Sequence, residues 1–141
     1  MAARARTVIA FGVFDLLHPG HLRFLRAAKR LGGRLTVVVT RDASAQKEKG
    51  RRPVLRERER LEMVGALQSV DRAVLGDAGA PTVVRRLRPD VIAVGYDQDP
   101  RHPKLLAQLG ALRRRPRVVR IPPHLPSRFH SKLLRKSHVR P

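Results

Sequence analysis

Two histidines three residues apart, His18 and His21, flank Pro19 and Gly20 in the string FDLLHPGH. Proline suits the first turn of a helix, because its missing N–H is one the helix leaves unpaired anyway. Residues three apart on a helix are neighbours, so both imidazoles can line the same side of that turn. The amides of a first helical turn point outward with the positive end of the helix dipole and form an anion site. Two imidazole donors beside such amides suit a phosphate chain, and a nearby triphosphate favours their charged form. Gly12, just upstream, has no side chain, which lets the backbone there approach a bulky anion closely. Zinc is the other chemistry open to paired histidines, but neither a third histidine nor a cysteine stands at ligand spacing.

The segments around this string alternate in a strand–helix rhythm. TVIAFGV (7–13) is expected as a buried strand, a continuous β-branched run ended by glycine. PGHLRFLRAAKRLG (19–32) is expected as a helix whose apolar face is Leu22, Leu25, Ala28 and Leu31, with Phe24, closed by Gly32 and Gly33. RLTVVVT (34–40) reads as a central strand. RDASAQKEKGRRPVL (41–55) reads as a polar loop, long enough to suggest function. RERERLEMVGALQSV (56–70) reads as a helix with Leu61, Val64 and Leu67 inward. Then come a strand at 72–76, a helix at 80–88, a strand at 89–95, a helix at 103–114, a strand at 117–122 and a closing helix at 131–138 with Ser131 as its N-cap.

Five strands with intervening helices predict a single Rossmann-like α/β domain over 1–141, an open five-stranded parallel sheet with helices on both faces. Its basic C-terminal segment, about 123–141, is expected to close the site. Ligands in such sheets bind beyond the carboxyl ends of the strands, at the switch point in strand order. The candidate loops therefore follow residues 13, 40, 76, 95 and 122.

The string from Gly12 to His21 and the helix after it resemble the signature of the HxGH nucleotidyltransferases, a superfamily of cytidylyltransferases and small adenylyltransferases. QKEKGRRPVLRERERLEMV is similar to that family's lysine loop and its following arginine-bearing helix, and DVIAVGYDQ to its later nucleotide-binding strand. The short chain, KGRRP, GYDQ and the terminal SKLL resemble the archaeal FMN adenylyltransferase type within it. The resemblance implies transfer of a nucleotidyl group from a triphosphate to an acceptor phosphate, with pyrophosphate leaving and positioned positive groups stabilising the charge. It implies His18 and His21 as catalytic phosphate-binding residues. Lys47 and Lys49 are implied to fold over the triphosphate, pointing the same way if their segment is extended. Arg60 is implied near the leaving pyrophosphate. Val13, Phe14, Asp15, Pro19, Gly20, Asp97, Gln98, Leu125 and Ser131 are implied in nucleotide binding, Asp97 through a base amine or ribose hydroxyl and Gln98 through a base edge. ATP and FMN are the implied substrates, Mg²⁺ the implied ion, carried with the nucleotide, and a homodimer is typical. Many relatives have threonine where Val13 stands; an aromatic after the last strand is replaced here by His124 and Leu125, and the terminal motif is reduced to Ser131.

Composition sets the boundaries. A chain of 141 residues buries roughly two-thirds of its unfolded surface, enough for a core and a cleft. With no cysteine, disulfides, thiolate metal sites and thiol nucleophiles are excluded. No signal peptide and no run near the ~20 apolar residues of a membrane span are visible, so a cytoplasmic protein is expected. Lys and Arg number 31 against 11 Asp and Glu, a formal charge of +20, and no acidic residue follows Asp99. Such a field attracts polyanions, so a basic nucleic-acid-binding protein on the same fold is an alternative, with LRRRPRVVR as its phosphate-tracking patch. A cytidylyltransferase acting on glycerol phosphate or another phosphorylated alcohol is the alternative within the same chemistry. Only five aromatic side chains, Phe11, Phe14, Phe24, Tyr96 and Phe129, are present to stack on a planar acceptor.

Overall fold

A computed structural model describes residues 5–78, 82–110 and 112–123 of the chain. Ten elements follow one another: β1 (Arg6–Gly12), α1 (Pro19–Arg30), β2 (Gly33–Val39), α2 (Asp42–Lys49), α3 (Glu57–Gly65), β3 (Arg72–Leu75), α4 (Val83–Leu87), β4 (Val91–Val94), α5 (Pro103–Gly110) and β5 (Arg117–Arg120). The strands form one sheet in the order β3-β2-β1-β4-β5, and every pairing is parallel. This is the expected Rossmann-like single sheet.

Alternation along the central strands divides the core in two. Val8 and Ala10 of β1 face one layer, with Leu35, Val37 and Val39 of β2, Leu25 and Ala28 of α1, and Val64 of α3. Ile9 faces the other, with Val38, Ile92, Val94, Val83 and Val84 of α4, and Leu105 and Leu109 of α5. Both faces of β1 and β4 are covered, which is why those strands read as unbroken apolar runs rather than alternating ones. The apolar stripe expected on the first helix holds for three of its four residues. Leu25 and Ala28 are buried and Leu31, with Phe24, packs against the same layer, whereas Leu22 is half-buried and outside the core clusters.

Several boundaries differ from the sequence reading. The segment expected as a loop at 41–55 contains α2, a helix with Asp42 in its first turn, Lys47 and Lys49 in its last, and Gly50 in the left-handed conformation (φ 74°) as its cap. The helix expected at 56–70 stops at Gly65, yet Leu67 and Val70 still pack into the core from the turn beyond. The helix expected at 103–114 stops at Gly110, where glycine disfavours continuation. The helix at 80–88 spans 83–87 among the described residues. The closing helix at 131–138 and the site-closing segment after 123 lie outside the described residues.

Candidate active site

β1 has β2 on one side and β4 on the other, so the order of connections reverses between β1 and β4. A parallel sheet places its ligand crevice at that reversal, beyond the carboxyl ends of the strands. The turn carrying His18 and His21 leaves β1 there, and the Gly95–Gln98 turn leaves β4 beside it.

The histidines are built into the start of α1. His18 is the N-cap residue, in extended conformation, and its Nδ1 accepts from the Gly20 N–H at 3.1 Å. Nδ1 of His21 accepts from the His18 N–H at 3.3 Å. The two rings thus make a reciprocal capping box, the role usually taken by Ser/Thr with Glu, and lie 3.9 Å apart between centroids. A nitrogen that accepts carries no hydrogen, so each neutral ring bears its N–H on Nε2. The cap sets the donor edge of both imidazoles.

Phe14 sits at φ 54° between β1 and this turn, a conformation costly for a bulky residue. Its ring is buried and stands 5.5 Å from that of His21. A Cβ on Gly12 would lie 2.6 Å from Phe14 Cε2. Gly12 was expected to open the backbone to an anion; its missing side chain is instead filled by the Phe14 ring, which backs His21.

Asp15 is buried, and its two carboxylate oxygens accept from the Val54 and Leu55 N–H groups at 2.7 and 2.8 Å. It thereby pins the segment after α2 to the turn between β1 and α1. Arg60 is neither on the surface nor presented to the cleft: it is fully buried. Its Nε donates to the Leu55 carbonyl (3.0 Å), one terminal nitrogen to the Val13 and Thr40 carbonyls (2.7 Å each) and the other to Asp42 (2.6 Å). The expected place beside a leaving pyrophosphate is corrected to a strut joining the ends of β1 and β2 to α2 and the segment before α3. Val13, expected to meet the nucleotide through its backbone, has its carbonyl engaged in that strut.

Lys47 and Lys49 are both exposed on α2. Two residues along a helix are about 200° apart, so they do not point the same way, as an extended segment would have had them. Asp97 is exposed in the turn after β4, whereas Gln98 is anchored: Oε1 accepts from Gly95 N–H (2.8 Å) and Nε2 donates to the Phe11 carbonyl (2.9 Å). Gln98 clamps β4 to β1 across the switch point, so its expected base contact gives way to a structural bond. Pro19 is exposed at the first position of α1, with Gly20 partly buried behind it. Leu125 and Ser131 lie outside the described residues. A cleft of about 330 Å³ opens at the carboxyl ends of β4 and β5, lined by Tyr96, Arg120, Ile121, Pro122 and Pro123. Burial, and then the Asp97 charge, push the Tyr96 hydroxyl above its ordinary value.

Sequence reasoning missed Asp42 and Glu57. Each carboxylate caps the other's helix, Glu57 accepting from Asp42 N–H (2.9 Å) and Asp42 from Glu57 N–H (3.2 Å). Burial raises Asp42, but the Arg60 hydrogen bond, the Glu57 N–H and the charges of Arg60 and Arg52 outweigh it and hold the carboxyl below its ordinary value. An acidic first turn, a basic last turn and a following glycine were the available signals for α2.

A helix start capped by two histidines at the switch point of a parallel sheet has the architecture of a nucleotide-binding α/β domain. The chain belongs to the cytidylyltransferase-like family, whose pattern residues 9–135 match, and it is a nucleotidyltransferase. Among similar proteins, the FAD synthase of Archaeoglobus profundus is 43% identical over 81% of this chain and 73% of its own. That of Thermoplasma acidophilum is 42% identical over 94% and 90%, and that of Methanosarcina barkeri 44% over 82% of each. The crystal structure of the lipopolysaccharide core biosynthesis protein from Thermoplasma volcanium superposes with a TM-score of 0.78 at 38% identity, covering 86% of this chain and 99% of that one. Among the described residues no helix is long and apolar enough to cross a membrane.

Proposed function

We propose that the protein transfers AMP from ATP to FMN, giving FAD and pyrophosphate. The naming of its relatives supports the substrate pair, and the paired histidine cap at the switch point is the observation that carries the chemistry. An oxygen of the FMN phosphate attacks the α-phosphorus of ATP and forms a new P–O bond. The bond from that phosphorus to the bridging oxygen breaks, and pyrophosphate takes its electron pair. In this reading the Nε2–H groups of His18 and His21 hold phosphate oxygens as charge builds on them, beside the positive end of the α1 dipole. Lys47 or Lys49, whichever side of α2 meets the ligand, covers the triphosphate, and Asp97, Leu125 and Ser131 belong to the nucleotide site.

Asp15 meets two backbone amides, and no three His, Asp or Glu among the described residues gather as an ion cage. A divalent ion in this chemistry fits a binding mode through substrate phosphates rather than an all-protein cage, and Mg²⁺ is the proposed ion. The reading also carries a cytoplasmic location and a homodimer.

The test is incubation with ATP or CTP, FMN and Mg²⁺, followed by chromatography for FAD and assay of pyrophosphate. FAD formed with ATP and not CTP supports the proposal. Pyrophosphate released only with CTP and glycerol phosphate moves the protein to another acceptor, and no product with any acceptor removes the reading.

A further inference from the structure

We infer that the amino edge of the sheet, away from the candidate active site, is a binding surface for the phosphodiester backbone of a nucleic acid. In a parallel sheet all strands begin at one edge. Along it, in spatial order, stand Arg72 at the start of β3, Arg34 at the second position of β2, Arg6 at the start of β1, Arg88 three residues before β4 and Arg117 at the start of β5. Residues 113–115, all arginine, lead into β5. All of these positions are exposed.

Four strand spacings of about 4.8 Å spread these arginines roughly 19 Å across the edge as a staggered band. Arg72 lies opposite Thr36 and so three positions further along the strands than Arg6. By alternation Arg6 and Arg117 take the sheet face of Val8, while Arg34 and Arg72 take that of Ile9. The seven-residue β1 separates Arg6 from the histidine turn by roughly 20 Å, and Arg72, level with Ile9, stands roughly 10 Å nearer the carboxyl edge. No arginine of the band belongs to the site of the adenylyl-transfer reading. The two carboxylates among the strand starts are already used. Asp71 bonds Lys29 and accepts from Leu35 N–H, and Asp90 accepts from Thr7 N–H. None of the row's arginines forms an ion pair with a described carboxylate, although Asp71 feels the charge of Arg34; the pairs among the described residues are Lys29–Asp71, Arg41–Glu57 and Arg60–Asp42. On α3, by contrast, arginines alternate with glutamates in ERERLE, so that face is mixed in sign.

The residue type favours phosphate, since guanidinium groups bind it bidentately and are weakly hydrated. An anionic membrane is the poorer partner: the large exposed apolar side chains, Val54, Met63 and Leu106, lie before α3, on α3 and on α5, with none along the row. The row also has no aromatic side chain for base stacking, so binding is electrostatic and indifferent to sequence.

The experiment compares the whole protein with two variants of equal charge. One carries Arg6→Gln, Arg34→Gln, Arg72→Gln and Arg117→Gln; the control carries Arg23→Gln, Arg26→Gln, Arg58→Gln and Arg101→Gln, all exposed and off the row. Thermal melts establish that both are folded. Binding of labelled oligo(U) and oligo(dT) is then measured across salt. At roughly 0.7 per neutralised phosphate, four lost contacts lower the slope of log K against log salt by about 3. That makes the wild type lose about 60-fold more affinity than the edge variant between about 50 and 200 mM salt. The control keeps most of the wild-type slope. Preference for oligo(U) identifies RNA, and equal binding identifies the phosphodiester alone; both support the surface. Equal losses in the two variants overturn it, as does binding to phosphatidylserine vesicles with neither oligonucleotide retained.

Discussion

Replacing Arg60 separates a buried strut from a substrate-binding residue. Arg60→Leu removes all four bonds of the guanidinium and leaves three carbonyls and Asp42 without that partner. Breaking a buried ion pair from one side costs about 3–5 kcal/mol. Each carbonyl left without a donor adds about 1–3 kcal/mol unless water reaches it, and Asp42, 26% exposed against 0% for Arg60, is the group water reaches first. A net loss of about 4 kcal/mol is therefore expected. With ~2.1 cal/mol/K of unfolding entropy per residue, the 141-residue chain loses about 13 °C in melting temperature. Arg60→Lys keeps the charge opposite Asp42, but one ammonium cannot span the same acceptors, so about half the loss remains. Urea unfolding and calorimetry of the three proteins measure this order. Stability within about 1 kcal/mol of wild type, together with lost turnover, would refute the burial argument and return Arg60 to the substrate.

Three further outcomes are expected. His18→Ala and His21→Ala each lose at least ~10²-fold in turnover through the missing phosphate donor, with only ~1 kcal/mol of stability lost with the cap; turnover near wild type in either variant removes the mechanism. Gly12→Ala puts a Cβ within 2.6 Å of the Phe14 ring and is expected to cost about 1–3 kcal/mol, and a neutral melting temperature would show that the ring can move at no cost. Asp42 and Asp71 both lie below their ordinary value of 3.8, Asp71 chiefly through its Lys29 bond, so the stability they contribute is complete above that value and is lost as pH falls through their lower folded values. Acid melting of Asp42→Asn should accordingly show a shallower acid limb than wild type, and an unchanged limb would mean that the carboxylate is not linked to folding.

The sheet was legible because its strands are buried on both faces: β1, β2 and β4 are apolar runs too short for helices, each bounded by glycine, proline or charge. Topology followed from the βα rhythm and the right-handed crossover rule. The segment 41–55 was misread for a physical reason. α2 buries little beyond Ala45, so it shows almost no apolar periodicity, and its order comes from tertiary bonds through Asp42, Glu57 and Arg60. Those bonds join residues 15–47 positions apart, and no local pattern encodes them. Arg60 was hidden in the same way, since the neighbouring RERER gives it the company of surface residues. In Gln98 the residue type was a fair signal for recognition, but the nearest unpaired groups were the ends of β4 and β1.

The histidine pair shows why the site's residue types were readable while its geometry was not. A serine and a glutamate would cap α1 as well, so capping alone does not select histidine at both positions. What histidine adds is a second nitrogen across the ring, which keeps an N–H while Nδ1 serves the helix. Folding thus fixes the tautomer with its N–H on Nε2, the donor edge that the proposed phosphate contact uses. Phe14, in left-handed conformation over the space left by Gly12, backs His21 against rotation. The strain at Phe14 is offset by that packing, and the same few residues therefore hold both the start of the helix and the orientation of the groups proposed to meet the substrate.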